Sequence, residues 1–337
     1  MPSSSRVLLP AAALLAIACT DPVDRAAKQR IFSPEDPPAA VASAQEKLAA
    51  DQLGTDARLA QRVLTMGAAE VTERLGPNRF TGDVSFEWSA AGQRVKLSET
   101  RLLESGAGGV GGDFHARLDN SRDQGLEVVR VRGQVFARSK YGKFRLRQRD
   151  RGIAERTRED TAGALRELVE LFHRRIQLVP QGSVAVEGRP AYRYEIRLAE
   201  SVPPSIQPAS SPAPAYARGG ADETTRRRRL FSDKRQPRSL SGELLVDAAT
   251  AVVLRARLDG RLEVPGQPGV SAAQLHVLLE ERIQDVGKSP TLRPPDGFLP
   301  DADKPEGIAD ALDRFGMPRQ ARPDAGVDTE ADEDTSG

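Results

Sequence analysis

Cys19 is the one cysteine in a chain of 337 residues, and a lone thiol in an exported chain either stays exposed and reactive or is consumed covalently. Its surroundings favour the second use. Arg6 supplies a weakly positive start, Val7 to Ile17 is almost wholly apolar, and Leu14-Leu15-Ala16-Ile17-Ala18 brings small residues to the bond before Cys19. That arrangement reads as a signal peptide over residues 1–18 that ends at a cysteine. The apolar run is about half the roughly 20 residues a membrane-spanning helix requires, and no later stretch of the sequence is long and apolar enough to qualify.

Other groupings have spacing that could do chemistry, and their contexts argue against it. Gly106-Ala107-Gly108-Gly109-Val110-Gly111 fits GxGxxG, in which glycines let backbone amides approach a pyrophosphate at a helix start. The next residues, Asp113 to Leu118, alternate like a strand, so the glycines are expected to form a hairpin loop. Glu170 and His173 stand at i and i+3, half of a carboxylate-bridged di-metal motif that needs a second copy; the other histidines, His115 and His276, fall in strand-like segments. The acidic tail, Asp328, Glu330, Asp332 and Asp334, has the rhythm of a calcium loop without its central glycine or twelfth ligand. No GxSxG elbow or HExxH helix occurs. The expectation is no enzyme, no resident metal and no cofactor. The run Arg226-Arg227-Arg228-Arg229 could attract anionic headgroups, but it reads first as a solvated loop.

The residues around Cys19 resemble the bacterial lipobox, in which a small residue precedes a cysteine that becomes the first residue of the mature chain. Ala16 stands where Leu is commonest. The resemblance implies that Cys19 takes a diacylglyceryl thioether and an acyl chain, such as palmitate, on its new amino group. More than one chain suffices for stable anchoring, since each buried methylene contributes about 0.8 kcal/mol. Thr20 rather than Asp follows the cysteine, which by the same resemblance points to the outer membrane rather than the inner membrane of a cell envelope.

The elements that must position anything further are of two kinds. Residues 19–37 read as a flexible tether. Ala40 to Leu53 is Ala-rich and helix-forming, and Asp56 is placed to cap a second helix carrying Leu59, Val63, Leu64 and Val71 up to Leu75. From Phe80 the period shifts towards 2: Phe80, Val84, Phe86 and Trp88 share a parity, as do Val95 and Leu97, and further short strands lead through Gly133 and Tyr141-Gly142. One amphipathic helix is expected over about Ile153–Arg175, with Leu165, Leu168, Val169, Phe172 and Ile176 on its stripe and Arg158 among the polar residues. Strands return over Ile176–Pro180, Val184–Val186 and Tyr192–Leu198. Residues 200–237, rich in proline, read as a disordered insertion. A meander comes next, over Leu240–Val246, Val252–Val264 and Val270–Val286, and residues 296–337 read as a Pro-rich and acidic, mostly disordered tail.

Aromatic residues make up 4% of the chain, with 29 Gly and 24 Pro, which suits a modest core. Lys plus Arg (49) and Asp plus Glu (48) nearly cancel, so no overall field selects nucleic acid as a partner. The expected fold is α+β: a curved, half-barrel-like antiparallel sheet over residues 38–295, with an N-terminal helical segment and one central amphipathic helix on it. This order is similar to the architecture of the LolA, LolB and LppX lipoprotein carriers, a resemblance that implies a space between sheet and helices for acyl chains. Its lining is expected from Leu165, Val169 and Phe172 opposite Leu254, Leu258, Leu275 and Val277. The expected partners are a membrane through Cys19, a lipid ligand, or an envelope protein; the alternative is a structural or interaction lipoprotein whose same residues pack on each other and leave no pocket.

Overall fold

The computed structural model describes residues 46–148, 150, 152–202, 231, 233–266 and 271–300. Cys19, the tether, the four-arginine run and the acidic end of the tail lie outside the described residues. Among the described residues no helix is long and apolar enough to cross a membrane.

Two short helices come first, α1 (Ala57–Leu64) and α2 (Ala68–Leu75). Six strands come after them: β1 (Asn78–Ala90), β2 (Gln93–Ser105), β3 (Phe114–Asn120), β4 (Gly125–Val131), β5 (Gln134–Ser139) and β6 (Arg145–Arg147). Helices α3 (Ile153–Thr161) and α4 (Ala164–Leu171) lead to β7 (Ile176–Val186), β8 (Arg189–Leu198), β9 (Gln236–Asp247), β10 (Val253–Val264) and β11 (Ala273–Gln284). All eleven strands form one antiparallel sheet in the order β6-β5-β4-β3-β2-β1-β11-β10-β9-β8-β7. Tight two-residue hairpins join β1–β2, β4–β5 and β7–β8; at β4–β5, Arg132 and Gly133 both take positive φ, the geometry that matches the strands' twist.

β6 and β7 are consecutive in the chain yet form the two opposite edges. Their connection, α3 and α4, must therefore cross a whole face. Ten interstrand steps would separate the edges by about 48 Å in a flat sheet, whereas the helical residues advance only about 26 Å; loops and the curl of the sheet supply the remainder. The crossed, concave face holds the core. In β10, Leu254, Ala256, Leu258 and Leu262 are buried and Arg255, Arg257, Asp259 and Arg261 are exposed, as the alternation predicts. Phe172, 1% exposed, lies on Gly260, where an added Cβ would come within 2.3 Å of its ring; the strand needs a glycine there to admit the aromatic.

Four local expectations are corrected. Residues 46–53 are not helical: Leu48, Ala50 and Leu53 are all buried, and the buried Tyr194 hydroxyl donates to the Ala50 carbonyl, so tertiary contacts override helix propensity. The helix capped by Asp56 breaks at Thr65-Met66-Gly67, although Asp56 does accept from Arg58 and Leu59 amides at 2.9 and 3.0 Å. The single helix over Ile153–Arg175 is two, broken at Ala162-Gly163. Arg158, assigned to the solvent stripe, is 1% exposed; it donates to the Gly109 carbonyl and to Thr72 Oγ1 and stands over the Phe114 ring. Two boundaries also shift. β9 begins at Gln236, inside the stretch read as an insertion, and Leu299 pairs with β6 while Phe298 packs on Phe136 at 4.8 Å, so the first residues of the tail cover a sheet edge.

Candidate ligand site on the concave face

Register places Arg101 (β2), Gly82 (β1), Glu281 (β11) and Ala256 (β10) side by side on the concave face. Two ionisable side chains thus stand in an otherwise apolar layer, separated by a residue with no side chain. Glu281 is 7% exposed and Arg101 6%. Above them is the break between α3 and α4. Arg101 donates to the Asp160 carbonyl at the end of α3 (2.9 Å) and to Glu99 (2.6 Å) and Glu167 (3.3 Å). The Leu165 backbone amide, in the first turn of α4, lies close enough to the Glu281 carboxyl to pull its pKa down. A cation therefore meets the negative end of one helix, and a buried carboxyl sits below the start of the next.

Glu281 Oε2 is buried and has no hydrogen-bond partner among the described residues. Burial pushes the Glu281 carboxyl up to about 8, against the opposing pull of Arg101. Burial also works against the Arg101 charge, but Glu167 and Glu99 outweigh it and leave that group raised. A carboxyl held above neutrality stays protonated at neutral pH and can donate a hydrogen bond. It faces a cavity of about 50 Å³ lined by Met66, Phe80, Leu103, Ala162, Leu165 and Leu254 among others. Both helix breaks, at Met66 and Ala162, lie on its wall.

The N-terminus of α2 is held by the neighbouring helix pair. Gly67 has no side chain with which to cap it; instead Glu159 of α3 accepts from the Ala68 and Ala69 amides, each at 3.1 Å. Arg166 of α4 pairs with the same carboxylate at 3.1 Å. The cavity roof is thus made of short helix ends linked by polar contacts, over a floor of buried strand residues.

Towards the β1–β2 turn the concave face changes character. Phe86, Trp88, Leu97 and Leu275 are only half-buried and Val95 is 44% exposed. They are neighbours: Trp88 pairs with Val95 and Leu275, and Phe86 with Leu97. Phe231 stands edge-on to Trp88 at 5.7 Å. The result is a contiguous apolar strip continuous with the core through Phe86 and Leu275.

Of the residues expected to line a pocket, Leu165, Val169, Phe172, Leu258 and Val277 come together in one buried cluster, with Leu275 at its margin and Leu254 in the adjoining cluster. Only Leu165 and Leu254 touch the cavity beside Glu281. Glu281, Arg101, Phe86, Trp88 and Leu97 were not singled out by sequence reasoning as site residues. The signal for Glu281 is present: in Ala273–Gln284 it alone breaks an apolar parity with a charge.

The remaining candidate chemistry is absorbed locally. The glycine-rich stretch is the β2–β3 loop, and its amides bind the protein's own carboxylates: Gly109 N–H to Glu73 at 2.8 Å and Gly111 N–H to Glu155 at 3.3 Å. His173 lies beyond α4 with φ 54° and faces the Arg235 carbonyl, while Glu170 pairs with Arg174. His115 bridges Glu127 (2.8 Å) and Glu104 (3.1 Å) on the opposite face of the sheet, and those hydrogen bonds, Glu127 first, raise its pKa against burial. Among the described residues no group of His, Cys, Asp and Glu is arranged to hold a metal ion.

The fold and site together define a class: an open, curved antiparallel sheet whose concave face is roofed by two pairs of short helices and left apolar at one end. No family model matches the chain, and no curated protein does. Among solved structures, the chain is similar to LprF from Mycobacterium bovis (12% identity, 71% of this chain and 97% of that one, TM-score 0.24). It is also similar to a DUF1329 family protein from Desulfovibrio piger (12%, 70% and 96%, TM-score 0.21) and to the lipoprotein LppX from Mycobacterium tuberculosis (8%, 73% and 97%, TM-score 0.20).

Proposed function

We propose that this protein is a lipid-anchored component of a bacterial cell envelope, attached through Cys19 and facing the outer rather than the inner membrane, that binds a hydrophobic, acyl-bearing ligand between its sheet and helices. The observation that carries the ligand reading is the strip of Phe86, Trp88, Val95, Leu97 and Leu275, which the described residues, Phe231 included, cover only in part, since a contiguous apolar patch partly open to solvent marks a place where something docks. Leu165, Val169, Phe172, Leu254, Leu258 and Val277 belong to this reading as the wall that separates when a ligand enters. The strip is where entry begins.

A second reading, an interaction lipoprotein with an envelope protein as partner, is favoured by a different observation. The cavity beside Glu281, about 50 Å³, is well below the roughly 300 Å³ of an ordinary ligand pocket, and most of the expected lining residues are buried against one another. Mass spectrometry of native and delipidated preparations separates the two. Near-stoichiometric co-purifying lipid supports the ligand; its absence, with a defined cross-linked partner, supports the second reading. Mass analysis of the mature N-terminus tests the anchor, with an acylated Cys19 as the expected first residue.

A further inference from the structure

We infer that the cavity beside Glu281 is a polar subsite that receives an uncharged carbonyl oxygen, the ester of an acyl lipid, with its hydrocarbon running from there towards Trp88. The inference rests on the acyl-ligand reading and names the part of the ligand that the site selects.

Three observations converge on it. Glu281 is a nearly fully buried side chain whose Oε2 has no partner among the described residues and which lines a cavity otherwise walled mostly by apolar side chains. The cavity, about 50 Å³, has room for a group of a few heavy atoms, given that one water occupies about 30 Å³ of liquid. Its roof is formed where both helix pairs are interrupted, at Met66 and at Ala162, so admission requires displacement of helix ends rather than of a continuous helix. From Phe80 to Trp88 the concave residues of β1 lead from the cavity to the exposed strip, about 26 Å by strand rise. A chain entering at the strip reaches the carboxyl by displacing the helices that cover the buried Val84 between them.

The charges around the subsite select against an anion. Facing Glu281 are Arg101 from β2 and Glu167 from α4, with Glu99 on β2 bound to Arg101. Arg166 of α4 also borders the cavity but is paired with Glu159 of α3. Arg282 on β11 lines it too and donates to Thr81 across the sheet. On α2, Glu70 pairs with Arg74 and with Arg62 of α1. The charge of the nearest cation is thus matched by two carboxylates and a helix carbonyl, which leaves only its buried Nε–H without a partner among the described residues, and an incoming carboxylate or phosphate finds no unmatched positive charge. An ester oxygen needs only a donor. Burial holds the proton on Glu281 until about 8, so at neutral pH that donor is the carboxylic acid itself.

The test is a titration of the full chain with monooleoylglycerol and, separately, with oleate, followed by the emission of Trp88, the only tryptophan, for the wild type, E281Q and E281L. Wild type is expected to bind monooleoylglycerol at least tenfold more tightly at about pH 6 than at about pH 9.5, because the donor is lost when the acid ionises. E281Q, which keeps a donor, should stay within about threefold of wild type at the lower pH and lose the pH dependence. E281L should bind at least tenfold more weakly at about pH 6 and no more weakly for oleate at about pH 9.5. Equal monooleoylglycerol affinity for wild type and E281L at both pH values overturns the subsite while leaving acyl binding standing; it is also the result if the cavity holds water only. Failure of wild type to bind either probe overturns the acyl reading and this inference with it.

Discussion

The same ladder, β1 paired with β2 and β11, builds two unlike surfaces. At its Asn78–Val84 end the concave residues Phe80, Val84, Leu103 and Leu279 are buried beneath helices, with Glu281 and Arg101 among them. At its Phe86–Ala90 end, Phe86, Trp88, Leu97 and Val95 continue the same apolar alternation with far less cover. A strand pattern records which face is apolar, and it does not record what lies on that face. The covered end is held by interdigitated side chains, and the open end retains apolar surface whose burial is still to be gained. Stability should therefore reside in the first region and binding in the second.

Substitutions should separate the two regions, with the largest effect at the covered end. Phe172→Ala removes a buried ring from its seat on Gly260 and is expected to cost about 3–5 kcal/mol in chemical denaturation, whereas Leu97→Ala at the open end should cost under about 1 kcal/mol. Equal losses would erase the distinction. Glu281→Gln comes next and should stabilise. The folded-state pKa of about 8 lies above the ordinary 4.5, so the native state holds a proton that the unfolded chain releases. Stability then falls as pH rises from about 4.5 to about 8 and is level above, a loss on the order of 5 kcal/mol. Urea midpoints from acid to alkaline pH should show that slope in wild type and not in the variant.

Gly260→Ala should cost about 1–3 kcal/mol, because the new methyl group enters the space of the Phe172 ring. Phe172→Leu in the same background should recover part of it, which a double-mutant cycle can read. The smallest effect concerns His115, outside both regions. Its pKa is raised by Glu127 and Glu104, so its contribution is fully present below the unfolded-state value of 6.5 and disappears as pH rises through the higher folded value. His115→Asn should remove about 1 kcal/mol at acid pH and leave ligand binding unchanged. A loss of binding in that variant would tie the opposite face of the sheet to the site.

Much of the sheet was legible because alternation is a strong and local signal. Leu254, Ala256 and Leu258 against Arg255, Arg257 and Asp259 specify a half-buried strand without reference to anything distant. The helix interruptions were less so. Gly163 is visible in the sequence, but the polar groups that lie beneath the break, Arg101 and Glu281, are 62 and 118 residues away in the chain and are brought there by strand pairing. Arg158 reads as a surface residue by periodicity, since only the fold places the Gly109 carbonyl and Thr72 around its guanidinium. The segment at Leu48–Leu53 obeys the same rule, with Tyr194 as its distant partner. As for the candidate site, the apolar wall was readable as a stripe of helix and strand residues, while the division of that wall into covered and open portions was not. Helix length and position decide it.

The central claim is that the open strip around Trp88 is the entrance for a hydrophobic ligand, and Trp88 itself can report on it. Titration of the full chain with a fatty-acyl probe carrying a bromine or nitroxide quencher is predicted to give saturable quenching of Trp88 emission with a shift to the blue, weakened in Leu97→Ser. Emission that stays constant across the titration, or that is quenched only in proportion to free probe, would contradict the account.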